Sequence, residues 1–348
     1  MHNKFLMLMF LFTGIHSFAQ PCDPRELAVR PGKWKGPGLG STSDIPTAIV
    51  QKEKVVLAQL HNRFKEFYNP VGLVASYSYA VGFSNGRSYN LEGSKNWPAL
   101  PYHYSCYFLE YWCDPNTGKE RVNGEGETGT FLKIYINDMR PIIPIEPHEM
   151  YDKEDITQPG WTVLYAQPEK LADGYYRFDL LPHDRHSFYP NDSYEAWLIT
   201  YDDKLPYMPV PIKEYLLWLQ KKLKEKVKEN ETMRNYYSPS LDNIARYLSE
   251  NDEETLSQPA YINDGELNNT FTTFKKEGEG IFIVKPNLDY YNRKLSQSAP
   301  QFFVVETRCR RLEDEVYRNG ITDARKAIDI DMLKAMLGKE VGSVTVSK

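Results

Sequence analysis

Two stretches of the chain repeat their apolar residues at the spacing of an α-helix. The first covers residues 46–68 and the second residues 211–235, and lysines and glutamates fill many of the positions between the apolar ones. Apolar residues three and four positions apart form one stripe along a helix, so each segment is expected to be amphipathic and to lie on a sheet. Pro46 and Pro211 stand where a helix can begin without losing a needed amide hydrogen bond. The two stripes consist of Ile49, Val56, Leu60, Phe64 and Phe67, and of Ile212, Tyr215, Leu216, Leu219, Leu223 and Val227.

Alternating or aromatic-rich segments predict strands in the rest of the chain. They are separated by turn residues such as the Asp114–Gly118 run, in which Pro, Asn and Gly favour chain reversal. Consecutive strands joined by short turns indicate an antiparallel meander. The predicted fold class is therefore α+β, with an antiparallel sheet packed against two or more amphipathic helices. Shorter helices are expected near residues 238–248 and 328–337, and strands at residues 72–83, 102–112, 128–137, 161–166, 174–180, 194–201, 280–285 and 301–307.

The first twenty residues have the pattern of a cleaved secretory signal. Lys4 provides a positive charge, residues 5–12 form an unbroken apolar run, and the segment ends in a Phe-Ala-Gln sequence. The apolar run is too short for a membrane span, which needs about 20 apolar residues. Residues 1–20 are therefore predicted to be a signal peptide that directs the protein to the periplasm or the extracellular space. A membrane anchor and a lipid attached to Cys22 are the alternatives.

The remainder is expected to form an arm and one large domain. Residues 21–44 are rich in Pro, Gly and Ser and predict an irregular N-terminal arm, which Trp34 could pin to the body. Residues 45–348 predict an α+β domain with a candidate subdivision near 235–240. Apolar residues make up 41% of the sequence, so the chain can bury a real core. The formal net charge of −5 provides no basic surface for a nucleic acid, and no later segment is long enough to span a membrane.

The four cysteines are Cys22, Cys106, Cys113 and Cys309. In an oxidising compartment this even number permits disulfides with three alternative connectivities, and at least one disulfide is expected. Cys106 and Cys113 are close in sequence and are the favoured pair. Their separation of seven places them on opposite faces of a straight strand, so a bulge, turn or helix must intervene if they bond. The spacing is not that of a zinc site.

Tyrosine is abundant, with 25 residues. A tyrosine ring is apolar and its hydroxyl group is polar, which suits both half-buried strands and exposed binding surfaces. One interpretation is a β-rich architecture in which the rings are structural. The other is an aromatic platform for a sugar or a peptide, for which Tyr102, Tyr104 and Trp112 are the candidate residues.

The densest set of potential metal ligands is His183-Asp184-Arg185-His186. Imidazole and carboxylate groups suit zinc, so His183, His186 and Asp184 form the candidate metal site. Pro182 and Pro190 bracket the segment, and a solvated loop between two strands is the alternative interpretation. Further ligands could come from Asp192 or from the pair His148 and Glu149.

A second set of acidic residues borders the aromatic hairpin around Cys113. Two carboxyl groups about 5 to 9.5 Å apart would suit glycoside hydrolysis, although acidic residues at strand ends more often serve solvation. The sequence contains no glycine-rich phosphate loop, no GxSxG motif, no HExxH motif and no EF-hand loop. The acidic residues are Glu110, Glu120, Glu125 and Glu127.

Two further stretches carry a resemblance. They are HNRFKEFYNPVGLVA at residues 61–75 and KLPYMPVPIKEYL at residues 204–216. Together with the Phe-Ala-Gln end of the signal, they resemble uncharacterised secreted proteins of Bacteroidetes-type bacteria. A Thr-Arg pair of that pattern is replaced here by Pro211 and Ile212. The resemblance implies export and the placement of the helices, and it implies no particular activity.

These observations favour an exported, non-catalytic protein that binds a glycan, a peptide or an envelope component and needs no cofactor. The aromatic content and the missing catalytic motifs support this hypothesis. The alternative is a zinc-dependent hydrolase that uses His183 and His186. The oligomeric state is left open.

Overall fold

The computed structural model describes residues 22–41, 45–83, 99–142, 161–164, 167–179, 193–263, 270–277 and 279–340. The helices are α1 (Pro24–Ala28), α2 (Thr47–Phe67), α3 (Glu125–Thr128), α4 (Ile212–Glu229), α5 (Arg234–Glu250), α6 (Glu253–Leu256), α7 (Glu315–Lys326) and α8 (Ile330–Met336). The strands are β1 (Lys33–Ser41), β2 (Leu73–Val81), β3 (Tyr102–Cys113), β4 (Glu120–Val122), β5 (Phe131–Ile136), β6 (Thr162–Leu164), β7 (Glu169–Ala172), β8 (Tyr175–Asp179), β9 (Ser193–Ile199), β10 (Tyr207–Pro209), β11 (Tyr261–Ile262), β12 (Ile281–Pro286) and β13 (Phe303–Cys309).

The strands form two sheets. The large sheet has nine strands in the order β1-β2-β3-β5-β13-β9-β8-β7, and β4 pairs with the end of β3. The small sheet has four strands, with β10, β11 and β6 all pairing with β12. Neighbouring strands are antiparallel, as predicted, except that β1 runs parallel to β2. The large sheet is therefore mixed, and the predicted α+β fold class is confirmed.

Three apolar cores separate four layers of structure. The first core lies between α2, α7 and α8 and one face of the large sheet. The second lies between the two sheets, where Val304 and Leu198 of the large sheet join Val284 and Leu164 of the small one. The third lies between the small sheet and the helices α4 and α5. Each sheet therefore buries both faces over part of its area, and the layer order is helices, large sheet, small sheet, helices.

The two amphipathic helices form as α2 and α4, but α4 ends at Glu229, six residues before the predicted end at residue 235. Their stripes are buried except at the two ends of the α2 stripe, where Ile49 is half-buried and Phe67 is 54% exposed. Its ring is covered on one face by the guanidinium group of Arg63, whose Cζ lies 4.2 Å from the ring centre. The third helix begins at Arg234, so Pro239 lies inside α5 rather than at its start. The candidate subdivision near 235–240 falls within this helix, which packs in the same core as α4.

The N-terminal arm is more regular than predicted. Residues 24–28 form α1 and residues 33–41 form β1, so the prediction of an irregular arm is wrong for these segments. The ring of Trp34 does pin β1 to the body, because it lies 5.2 Å from the His61 ring and 5.8 Å from the Phe64 ring. The glycines of this segment obscured the alternation that predicts a strand. Glycine also permits the arm to approach β2 closely, because a Cβ atom at Gly32 would lie 2.2 Å from the carbonyl oxygen of Leu73.

A disulfide joins Cys22 to Cys113, with 5.6 Å between the Cα atoms. One disulfide was expected, but the predicted pairing of Cys106 with Cys113 is wrong. Both residues belong to the continuous strand β3, and their odd separation places Cys106 in the core beneath α2 and Cys113 on the opposite face. Cys106 and Cys309 remain buried thiols. The bond to Cys113 also overturns the lipid-anchor alternative, since it occupies the sulfur of Cys22.

None of the helices in the described part of the chain combines the length and the apolar character that crossing a bilayer requires.

Candidate functional site

A cleft of about 450 Å³ opens beside the small sheet. Its walls come from five places in the chain: Gln167, the first residue of α4, Tyr247 in the second half of α5, the segment from Gln258 to the first residue of β11, and residues 273–277. The volume lies in the range that encloses a small-molecule ligand. Within the described residues, this cleft is the best candidate for a functional site.

Aromatic side chains form one wall of the cleft. Tyr247 projects from α5, and its ring meets the ring of Phe274 edge to face with 5.1 Å between the ring centres. Phe274 also contacts the buried ring of Tyr215 at 6.1 Å, which anchors the wall to the third core. Both rings at the cleft are half-buried, so part of each faces the core and part faces the opening. Such rings offer an apolar surface in a fixed position.

Polar side chains also line the cleft. Gln167 donates a hydrogen bond from Nε2 to the hydroxyl of Tyr261 at 3.1 Å. Burial raises the pKa of the Tyr261 hydroxyl and the nearby carboxylate of Glu277 raises it further, while the bond from Gln167 opposes the shift. The exposed side chains of Gln258 and Thr273 also border the cleft. Amide and hydroxyl groups both donate and accept hydrogen bonds, so these side chains can pair with a ligand rich in hydroxyl groups.

Two exposed lysines, Lys275 and Lys276, complete the rim. Their backbone is held in place, because the N–H of Lys275 donates to the carbonyl of Tyr261 at 2.9 Å and the N–H of Glu279 donates to the carbonyl of Lys276 at 3.0 Å. The rim therefore carries two cationic side chains on a hydrogen-bonded segment.

The predicted aromatic platform does not form. Tyr102 and Tyr104 are 0% exposed, because the even-numbered residues of this part of β3 face the core beneath α2. Tyr102 donates its hydroxyl to the carbonyl of Ser298 at 2.6 Å, and the hydroxyl of Tyr104 lies 3.2 Å from Nδ1 of His61. Trp112 is half-buried near the far end of the same strand. The sequence pattern identified the strand but not which of its faces is covered.

The predicted metal ligands His183, His186 and Asp184 lie outside the described residues, as do Asp192 and the His148-Glu149 pair. Among the residues that are described, no group of three or more His, Cys, Asp or Glu side chains could hold a metal ion. The zinc hypothesis therefore stays a prediction.

Three of the four acidic residues considered for glycoside hydrolysis have structural partners. Glu120 forms an ion pair with Arg30 at 2.6 Å. Glu125 accepts a hydrogen bond from the hydroxyl of Ser76 at 2.7 Å, and Glu127 caps α3 by accepting one from the backbone N–H of Gly124. Burial raises the pKa of the half-buried Glu110, with Asp314 adding to the shift. These contacts give structural roles to Glu120, Glu125 and Glu127.

A further polar group lies on the face of the large sheet that also carries Val304. The carboxylate of the buried Glu306 accepts hydrogen bonds from the hydroxyls of Tyr135, at 2.8 Å, and of Tyr194. Lys133 stands opposite Glu306 on β5, but its ammonium nitrogen lies over the Phe131 ring, 4.1 Å from the centre. The carboxylate is satisfied within the protein, so we interpret this group as a link between neighbouring strands.

The residues of the cleft were not singled out in the sequence. Tyr247 lies just before the end of a predicted helix, and the run Phe274-Lys275-Lys276 follows a second aromatic residue, Phe271. This alternation of rings and cations is the only sequence signal at the site. This signal can be interpreted as part of a site only when the fold is known, because the fold places residues 273–277 beside α5.

No protein-family model matches the chain, and neither a search of curated proteins nor a search of solved structures found a similar protein.

Proposed function

We propose that the protein is a non-catalytic binding protein and that its ligand is a glycan held in the cleft beside the small sheet. The observation that carries the proposal is the combination of an aromatic wall, Tyr247 and Phe274, with a rim of amide and hydroxyl side chains around about 450 Å³. Sugars present apolar C–H faces and hydroxyl edges, which match these two kinds of surface.

A glycan fits the cleft better than a peptide does. A peptide commonly binds by adding a strand to an exposed sheet edge, where it uses unpaired backbone groups. The available edge here is β11, and the carbonyl of Tyr261 in that strand already accepts the N–H of Lys275. The cleft therefore offers side chains, rather than backbone groups, to its ligand.

We also propose that the protein is exported after cleavage near Gln20 and acts in the periplasm or outside the cell. The disulfide between Cys22 and Cys113 supports this, because such bonds persist in oxidising compartments. The resemblance to secreted proteins of Bacteroidetes-type bacteria points the same way. Mass spectrometry of the mature N-terminus tests the proposal, and exported material that retains Met1 would contradict cleavage.

The binding proposal is tested by screening the purified protein on a glycan array and measuring affinity for the best ligand by calorimetry. Tyr247→Ala is expected to weaken binding by about tenfold or more, because buried aromatic contacts dominate binding energies. Tyr247→Phe keeps the ring and should retain most of the affinity.

Tyr236→Ala is the matched control, since Tyr236 lies on the same helix, is 55% exposed and does not line the cleft. The thermal midpoints of all variants are compared, so that a loss of folding is separated from a loss of binding. A protein that binds no glycan on the array, or equal losses in Tyr247→Ala and Tyr236→Ala, would overturn the proposal.

A further inference from the structure

We infer that the glycan bound in the cleft is acidic, with a carboxylate or a sulfate ester on a sugar that contacts Lys275 and Lys276. This inference rests on the proposed function, because it specifies the chemistry of the ligand at the same site.

The first argument is position. Lys275 and Lys276 follow Phe274 directly, and all three residues line the same cleft. A sugar stacked on the aromatic wall would therefore lie next to two ammonium groups. The backbone hydrogen bond from Lys275 to Tyr261 fixes the segment that carries them, which lowers the entropic cost of presenting both charges to a ligand.

The second argument is the state of the nearby charges. No ion pair involves Lys275 or Lys276 among the residues that the structure describes. Two other lysines near the small sheet are paired, since Lys285 lies 2.6 Å from Glu214 and Lys213 lies 2.7 Å from Glu253. The two rim lysines thus carry positive charge that no carboxylate of the described residues neutralises by direct contact.

The third argument concerns the acidic residue of the rim. Glu277 is the only acidic side chain among the described residues that line the cleft. Its carboxylate is near the hydroxyl of Tyr261, whose pKa it raises. Two lysines against one glutamate leave the lining with a net positive charge. An ammonium group is a point charge without a fixed geometry, so it can form an ion pair with a carboxylate or with a sulfate ester.

The test compares sugars of different charge on one glycan array that contains neutral, carboxylated and sulfated glycans. We expect acidic glycans to bind and their neutral counterparts to bind at least about tenfold more weakly, which corresponds to the loss of a charge-assisted contact. Comparing the carboxylated with the sulfated glycans on the array shows whether the negative charge of the ligand comes from a carboxylate or from a sulfate ester. Affinity for the best acidic ligand should fall as the salt concentration rises, because salt screens exposed charges.

The double substitution Lys275→Gln and Lys276→Gln is expected to reduce the affinity for the acidic ligand by about tenfold or more and to leave the affinity for a neutral analogue unchanged. The matched control is Lys224→Gln with Lys228→Gln, which removes two exposed charges from α4 at least about 18 Å along the helix from Ile212 at the cleft. This control corrects for the change in net charge.

The outcomes separate the two proposals. Binding of neutral and acidic glycans with equal affinity, or equal losses in the two double variants, would overturn the inference and leave glycan binding intact. The absence of any glycan binding would overturn both.

Discussion

The carboxyl group of Glu53 is buried inside the protein on the sheet side of α2. One of its oxygens, Oε2, accepts the backbone N–H of Gly82 at 2.8 Å, while Oε1 is buried and has no hydrogen-bond partner among the residues that the structure describes. Burial raises the pKa of this carboxyl group to about 7, and the bond from Gly82 opposes the shift only in part. Folding therefore makes Glu53 take up a proton near neutral pH.

This pKa shift predicts a pH-dependent stability. Between about pH 4.5 and pH 7 the folded state holds a proton that the unfolded state has released, so the Glu53 contribution to the free energy of unfolding falls as the pH rises through this window. The shift corresponds to about 3 kcal/mol at most. Glu53→Gln should remove this contribution, and the variant should gain stability relative to the wild-type protein as the pH is raised from 5 to 8. Chemical denaturation at several pH values measures the difference.

Glu66→Gln is the control for this experiment. Glu66 lies on the same helix, with 61% of its side chain exposed. Its substitution should leave the pH dependence close to that of the wild-type protein. Parallel pH profiles for wild-type protein and Glu53→Gln would show that Glu53 does not titrate with folding.

At the scale of the elements, α2 shows how a helix with one apolar stripe is held on a sheet. Leu57 is 0% exposed in the core formed with the large sheet, whereas Val55 is 44% exposed on the same helix. Deleting buried methyl groups lowers the free energy of unfolding, because transfer free energy is lost and a cavity is left. The same deletion at an exposed position has neither effect.

Leu57→Ala is accordingly expected to lower the free energy of unfolding by about 2 to 5 kcal/mol. Val55→Ala, the matched control, should change it by no more than about 0.5 kcal/mol. Urea denaturation of both variants measures the difference. Similar values for the two would mean that α2 does not bury Leu57 against the large sheet.

Several elements were missed in the sequence, and the two longest of them, β1 and α7, each have a local reason. The strand β1 is rich in glycine and proline, and its pairing with β2 is a tertiary contact. The helix α7 has a polar sequence with Gly320 in its middle, so its apolar stripe is short. Asp314 caps this helix by accepting the N–H of Val316 at 3.0 Å, and a Cβ atom at Gly320 would come within 2.4 Å of Leu73. The glycine that weakens the sequence signal is the one that lets α7 approach the sheet.

At the scale of the whole molecule, the disulfide between Cys22 and Cys113 ties the N-terminal segment to the large sheet. The bond spans a sequence separation of 91 residues. Closing a loop of this length restricts the unfolded chain and stabilises the folded state by about 4 to 5 kcal/mol in the chain-entropy model. Leu27 of α1 packs beside it with Val74, Leu109 and Tyr111.

A non-reducing peptide map is expected to recover one linked pair of peptides containing Cys22 and Cys113. Cys106 and Cys309 should react with a thiol reagent only after unfolding, because both are buried. The double substitution Cys22→Ser and Cys113→Ser should lower the free energy of unfolding by about 4 to 5 kcal/mol. A map that finds Cys106 linked to Cys113 would contradict the structure.

The sequence by itself determined the two long helices, most of the strands and the α+β class. These features follow from residues within about twenty positions of one another, where the periods of 3.6 and 2 are visible in the chain. It also pointed to the pinning role of Trp34. For β3 the sequence predicted the strand but not the surroundings of its faces. Alternation shows that the strand has two faces, but it does not show that Tyr102 and Tyr104 lie on the face beneath α2.

The tertiary structure decided which distant residues meet. It paired Cys113 with Cys22 instead of Cys106, placed β1 parallel to β2, and brought residues 273–277 to α5 to form the cleft with Tyr247. These contacts join segments that are separated by several elements, and many alternative pairings satisfy the same local pattern. Only the simultaneous burial of the three cores selects among them, because each core needs apolar surface from several elements at once.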